Sequence, residues 1–235
     1  MKKYLPNFIT CLNLCSGIIG VIAAYEENYD YALLCVVLSA VFDFLDGFTA
    51  RALNAYSDIG KELDSLADLI SFGLVPGTIA FTLLRPVASL FPYIEYVGFL
   101  ITVFSALRLA KFNIDERQKE SFIGLATPPN AFLWAGLAFS LQQLCVWEYA
   151  FLRDYYYVVL LLVAVSSYLL VSPIPMFSLK AKSLKWHGNE IRYIFLLGCI
   201  VLLCIFKQHA VSLIIVWYLV LSLGQMAFLR LKNRQ

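Results

Sequence analysis

The sequence has little charge. Only 14% of its 235 residues are Asp, Glu, Lys or Arg, about half of what a soluble domain carries. It has no polar stretch long enough for a soluble domain and no low-complexity linker. It has no C-x-x-C pair: Cys11, Cys15, Cys35, Cys145, Cys199 and Cys204 all sit in apolar runs. That excludes a zinc ribbon or a disulfide framework and leaves the cysteines as small packing residues. The first run, MKKYLPNFITCLNLCSGIIGVIAAY, lacks a small-residue cleavage site and is followed by further apolar runs. It therefore reads as a first membrane helix and not as a cleaved leader.

What is there instead is apolar. Hydrophobic residues make up 61% of the chain and mean hydropathy is +0.76. Apolar runs recur at about 8–25, 31–53, 60–84, 95–114, 128–147, 155–178, 191–206 and 210–229. Their lengths bracket the roughly 20 residues that span a bilayer. The expectation is an all-α, polytopic transmembrane helix bundle of about eight spans, one membrane-embedded domain over residues 1–235.

Lys and Arg orient the bundle. With a cytoplasmic N-terminus and alternating loops, 15 of the 18 basic residues fall on the cytoplasmic side and only Arg85, Arg153 and Lys207 on the other. An even number of spans with both termini cytoplasmic follows.

Against this background FDFLDGFTARALNAYSDIGKELDSLADLISFG, residues 42–73, is anomalous. Four aspartates lie in membrane-spanning sequence, where each costs about 2.5–3.5 kcal/mol at a helix centre. Asp43, Asp46, Gly47, Ala50 and Arg51 recur with the period of one helix face. Gly60, Asp64 and Asp68 share a face of the next helix. With a rise of about 1.5 Å per residue, Asp43 and Asp68 both lie roughly 12 Å from the cytoplasmic boundary, and Asp46 and Asp64 within about 8 Å. Gly47, Ala50 and Gly60 leave room between the faces. Four carboxylates in a low-dielectric site need compensation. Two divalent cations supply it, and all-oxygen ligands select Mg²⁺ or Mn²⁺. Paired ions of that kind clamp a phosphate for displacement at phosphorus, and Arg51 can bind a phosphate oxygen.

The pattern D-x2-D-G-x2-A-R-x8-G-x3-D-x3-D, Asp43 to Asp68, resembles the signature of the CDP-alcohol phosphatidyltransferases at all eight fixed positions. Chance agreement at a given start is on the order of 10⁻¹⁰. The resemblance implies transfer of a phosphatidyl group from a CDP-linked lipid to an alcohol, with release of CMP. It implies two metal ions on Asp43, Asp46, Asp64 and Asp68, a general-base role for Asp68, and a CDP site lined by Gly47, Ala50, Arg51 and Gly60. Four further pieces are similar to the bacterial branch that uses L-serine as acceptor: PNFITCLNLCSGI (Pro6–Ile18), DSLADLISFG (Asp64–Gly73), RLAKFN (Arg108–Asn113) and VSPIPMFSLK (Val171–Lys180). They imply CDP-diacylglycerol and L-serine as substrates, a homodimer, no nucleic-acid partner, and a bacterial inner-membrane location with the site facing the cytoplasm.

The remaining polar residues have two readings each. Arg108, Lys111 and Asn113 can bind the acceptor carboxylate or a lipid phosphate, or can be positive-inside anchors. Asn7, Thr10 and Asn13 can touch nucleotide or metal, or can bond between helices. Lys180, Lys182, Lys185 and Arg192 suit anionic headgroups, with contact to substrate as their other reading. His187 and His209 read as surface residues, and Trp147 and Tyr155–Tyr157 as an interfacial belt. Pro173–Pro175 should break the sixth span near its end. Glycerol 3-phosphate is the alternative acceptor. A cation- or proton-coupled transporter is the alternative class, although acids at the midplane and two related halves are its usual marks, and residues 120–235 carry no second copy of the motif.

Overall fold

In the computed structural model the described residues are 4–114, 122–143, 149–177 and 189–232. Trp147, Lys180, Lys182, Lys185, His187 and the C-terminal Arg234, together with Lys2, Lys3, Arg117, Lys119 and Cys145, lie outside them.

The chain is mostly helical: α1 (Tyr4–Tyr25), α2 (Tyr29–Ala52), α3 (Asp58–Asp68), α4 (Val75–Leu84), α5 (Leu100–Ile114), α6 (Thr127–Gln143), α7 (Tyr149–Asp154), α8 (Tyr156–Val171), α9 (Glu190–Phe206) and α10 (Ala210–Lys232). Helices therefore occupy every segment expected from hydropathy. Five helical runs are long and apolar enough to cross a membrane: Tyr4–Tyr25, Tyr29–Ala52, Asp58–Val87, Ile94–Ile114 and Glu190–Ala227. The last comprises α9 and α10, parted at Lys207, whose φ is 50°. The outward faces carry Phe8, Ile19, Leu34, Phe44, Leu197 and Ile200, all exposed. Such a surface suits lipid, and helices suit lipid because they satisfy their own backbone.

The run from Asp58 to Val87 is the most buried of the five and forms the centre. Phe72, Val75, Ile79 and Leu83 pack with Trp134 of α6 and Tyr29 of α2 in one core. One end of the bundle is pinned by polar contacts. Tyr29 donates its hydroxyl to Thr82 Oγ1 at 2.9 Å. The Gln142 amide nitrogen Nε2 donates to the Glu27 carbonyl at 2.9 Å. Arg85 pairs with Glu27 at 3.3 Å and lies 4.9 Å over the Tyr25 ring.

Several expectations need correction. The third span is not one regular helix: residues Leu69–Leu74 form a π-helical turn between α3 and α4. The sixth begins at Tyr156, after the separate short α7, and ends at Val171, seven residues short of the expected 178. Ser172 is extended there (ψ 149°) ahead of Pro173, as the residue before proline prefers. The Pro-rich segment then pairs as a strand, β2 (Pro175–Met176), antiparallel to β1 (Phe122–Ile123). The all-α expectation omitted this two-residue ladder. His209 is half-buried, its Nδ1 3.3 Å from Ser140 Oγ and its ring 5.6 Å from Phe139. Tyr155 and Tyr157 are exposed, as a belt requires. The described cysteines are free thiols.

Candidate functional site

At the end opposite the Arg85–Glu27 pair, α1, α2 and α3 converge. Residues 53–57 join α2 to α3 in a tight turn, with Asn54 at φ 49°. Ser57 then caps α3 by accepting from the Gly60 amide at 3.0 Å. Asp58 in the first turn suits the helix dipole. This cap sets where α3 begins, and so brings Asp64 and Asp68 to face α2.

One carboxylate oxygen from each of Asp43, Asp64 and Asp68 lies within 4.8 Å of the others. Asp46 stands beside this trio, buried, with Oδ2 accepting from the Thr10 hydroxyl at 2.6 Å. Asp68 Oδ1 accepts from Asn13 Nδ2 at 3.2 Å. Asp64 Oδ1 is buried and has no hydrogen-bond partner. No Lys or Arg among the described residues forms an ion pair with any of the four. A converging set of hard oxygen donors, one of them orphaned and none neutralised by protein, is what a divalent cation takes as ligands. The residues present fit such an ion.

A cleft of about 210 Å³ opens beside the carboxylates. Asn7, Thr10, Asp46, Gly47, Ala50 and Gly60 line it, all of them expected at the site. Gly47 has no protein atom nearer than 3.5 Å to where a Cβ would stand, so its missing side chain leaves space to the cleft and not to a neighbouring helix. Gly60 differs: a Cβ there would come within 2.9 Å of Asn7 Oδ1 and Ser57 Oγ, so it permits the α1–α3 contact. Tyr56, Ser57 and Lys61 also line the cleft and were not anticipated. Their signal was position, since they fill the turn between the two halves of the motif. Arg51 is exposed, with Nη1 on the Gly47 side. It makes no ion pair with a described residue and is free for an anionic ligand.

The end of α5 lies outside this cleft. Asn113 ties α5 to α3: its Nδ2 donates to Ser65 Oγ at 2.9 Å and its carbonyl accepts from Lys61 Nζ at 3.2 Å. Lys111 is exposed. Arg108 is 7% exposed, its guanidinium 5.9 Å over the Phe112 ring and within electrostatic reach of Asp68, with Nε unpartnered.

Comparison with known proteins agrees with this picture. A family model described as CDP-alcohol phosphatidyltransferase matches residues 3–224. The chain is 35% identical over 130 residues to the CDP-diacylglycerol–serine O-phosphatidyltransferase of Bacillus subtilis, covering 54% of this chain and 70% of that protein. It is 30% identical over 240 residues to the protein of the same name from Mycobacterium leprae, covering 94% of this chain and 72% of that one. Over 140 residues it is 36% identical to that from Helicobacter pylori, covering 54% of each. With the match running almost end to end and five of the eight signature residues, Asp46, Gly47, Ala50, Gly60 and Asp64, lining one cleft, the chain belongs to the CDP-alcohol phosphatidyltransferase family.

Proposed function

We propose that the protein transfers the phosphatidyl group of CDP-diacylglycerol to the hydroxyl of L-serine, giving phosphatidylserine and CMP. The observation that carries the reaction class is the convergence of Asp43, Asp64 and Asp68 beside a cleft lined by Gly47, Ala50 and Gly60. The acceptor rests on the relatives named above, each called a serine O-phosphatidyltransferase.

The four aspartates would hold two divalent cations, Mg²⁺ or Mn²⁺. Bound there, such ions would neutralise phosphate charge and favour displacement at phosphorus. The cleft takes the CDP portion. The missing side chain at Gly47 lets it approach the α2 backbone, and Arg51 pairs with a phosphate oxygen at the rim. Asp68 accepts the proton of the serine hydroxyl as that oxygen attacks the phosphorus bonded to the diacylglycerol oxygen. The bond from that phosphorus to CMP breaks, and CMP leaves. Arg108 and Lys111 offer positive charge to the serine carboxylate from the end of α5.

The same reading makes the chain one domain of eight crossings in a bacterial inner membrane, with both termini and the site cytoplasmic, working as a homodimer. The split of basic residues supports the orientation: Arg51, Lys61, Arg108 and Lys111 lie toward the carboxylate end, and Arg85 at the other.

The test supplies purified protein with CDP-diacylglycerol and either L-serine or glycerol 3-phosphate, and identifies the lipid product by mass spectrometry. Phosphatidylserine with an equal yield of CMP is expected. A product with glycerol 3-phosphate and none with serine would overturn the acceptor assignment.

A further inference from the structure

Asp68 does not stand alone. Asn13, fully buried on α1, donates Nδ2 to Asp68 Oδ1 at 3.2 Å. Its amide oxygen accepts from Ser71 Oγ at 2.7 Å, and Ser71 also reaches the Asn13 carbonyl at 3.0 Å. Ser71 is fully buried too. It lies in the π-helical turn that begins one residue after Asp68. Single π-turns inside α-helices are rare and gather at functional sites. Gly17, one turn beyond Asn13 on α1, lets the helices close here: a Cβ at Gly17 would stand 2.9 Å from Ser71 Cα. An α1 seated this tightly presents Asn13 to both Asp68 and Ser71.

We infer that Asn13 and Ser71 are positioning residues for the Asp68 carboxylate, acting in series. An asparagine amide has a donor end and an acceptor end, and its neighbours decide which way it points. Against a carboxylate, the –NH₂ end is the attractive one. Ser71, by donating to the opposite end, holds the amide in that sense. The amide then occupies Asp68 Oδ1 and leaves Oδ2 to meet the incoming hydroxyl. Ser71 has no contact with Asp68 in this chain of bonds, so its whole influence on the carboxylate passes through Asn13.

The inference rests on Asp68 being the base, and its test separates the two. Asn13→Ala, Ser71→Ala and the double variant are compared with wild type and Asp68→Asn for kcat, for KM of CDP-diacylglycerol, and for Mn²⁺ affinity by calorimetry. Asn13→Ala is expected to lower kcat about 10- to 100-fold and Ser71→Ala about 3- to 10-fold, with KM and Mn²⁺ affinity within about threefold of wild type. The double variant should match Asn13→Ala, because a residue acting only through another has no further effect once that one is gone. Ser71→Thr, which keeps the hydroxyl, should recover most of kcat; Ser71→Cys, a weaker donor with less added bulk, gives a second reading if threonine does not fit. Losses in kcat that multiply in the double variant, or that track lost Mn²⁺ affinity, would overturn the series arrangement while leaving the base intact. Wild-type turnover by Asp68→Asn would instead remove the base itself.

Discussion

Replacing Asp64 by Asn should make the metal-free protein more stable and the metal-loaded protein inactive. Asp43, Asp64 and Asp68 bring carboxylate oxygens within 4.8 Å of one another. At that separation each ionised pair repels by at least about 3.5 kcal/mol in an effective dielectric of about 20. Three pairs give roughly 10 kcal/mol, and removing the Asp64 charge relieves two of them, roughly 7 kcal/mol. The amide keeps the volume and can donate to the remaining carboxylates. Relaxation and water entry absorb most of the gross figure, so a net gain of about 1–3 kcal/mol is the expectation for a single substitution. In a chain of this length each kcal/mol moves the unfolding temperature by about 2–4 °C.

The order should invert when metal is added. Mn²⁺ at 100 times its dissociation constant stabilises wild type by about 2.7 kcal/mol. Asp64→Asn has lost a charged ligand and gains little. Thermal unfolding of purified protein in detergent, with chelator and then with increasing Mn²⁺ or Mg²⁺, therefore gives two curves that cross. Turnover measured on the same samples should fall to background with chelator, return with metal for wild type, and stay absent for the variant. If Asp64→Asn unfolds below wild type in chelator, and wild type gains nothing from either ion, the carboxylates are not a cation site.

Asp68→Asn should lower kcat by about 10²–10⁴ while CDP-diacylglycerol affinity stays within a few-fold; Arg51→Ala should show the larger loss in affinity, because a phosphate contact is missing before any chemistry. Gly47→Val should fold, since its nearest neighbour would be Arg51 Nη1 at 3.5 Å, yet lose lipid-nucleotide binding; normal binding by this variant would take the CDP portion out of the cleft. A cysteine placed at Gln235, in a background controlled for native thiols, should resist an impermeant thiol reagent in intact cells; rapid labelling would put the C-terminus outside.

The parts of this molecule that depend on local pattern were legible in the sequence. Apolar runs located the helices, and the four-residue spacing of Gly60, Asp64 and Asp68 located the face that meets α2. Family membership displaces the transporter alternative. What was not legible depends on contacts between distant segments. The 64–68 spacing extrapolates smoothly through residues 71 and 72, and nothing local announces a π-turn; it arises where α1 closes on Ser71 at Gly17. Asn113 reads as one of three polar residues at a helix end, and its two bonds to α3 follow only from how α5 packs. His209 reads as surface until α6 brings Ser140 and Phe139 against it. Asn13 stood in the right row with Asn7 and Thr10, while the partner that turns its amide lies 58 residues away.

The molecule carries its own control for the meaning of the acids within its bundle. Glu27, at the far end, is an acid with a structural role, since Arg85 neutralises it at 3.3 Å and packs on Tyr25 and Phe81. The same fold had basic residues to offer at the other end, where Arg51, Lys61 and Arg108 are all close by. Yet Arg51 and Lys61 form no ion pair with the aspartates, and Arg108 stops short of a salt bridge with Asp68. Among the described residues the side chains that hydrogen-bond the aspartates are neutral donors, Thr10 on Asp46 and Asn13 on Asp68. Neutral donors orient a carboxylate without cancelling its charge. Negative charge is thus kept at one end of the bundle and cancelled at the other. The proposed cation site needs that difference, and acids with a purely structural role, such as Glu27, do not call for it.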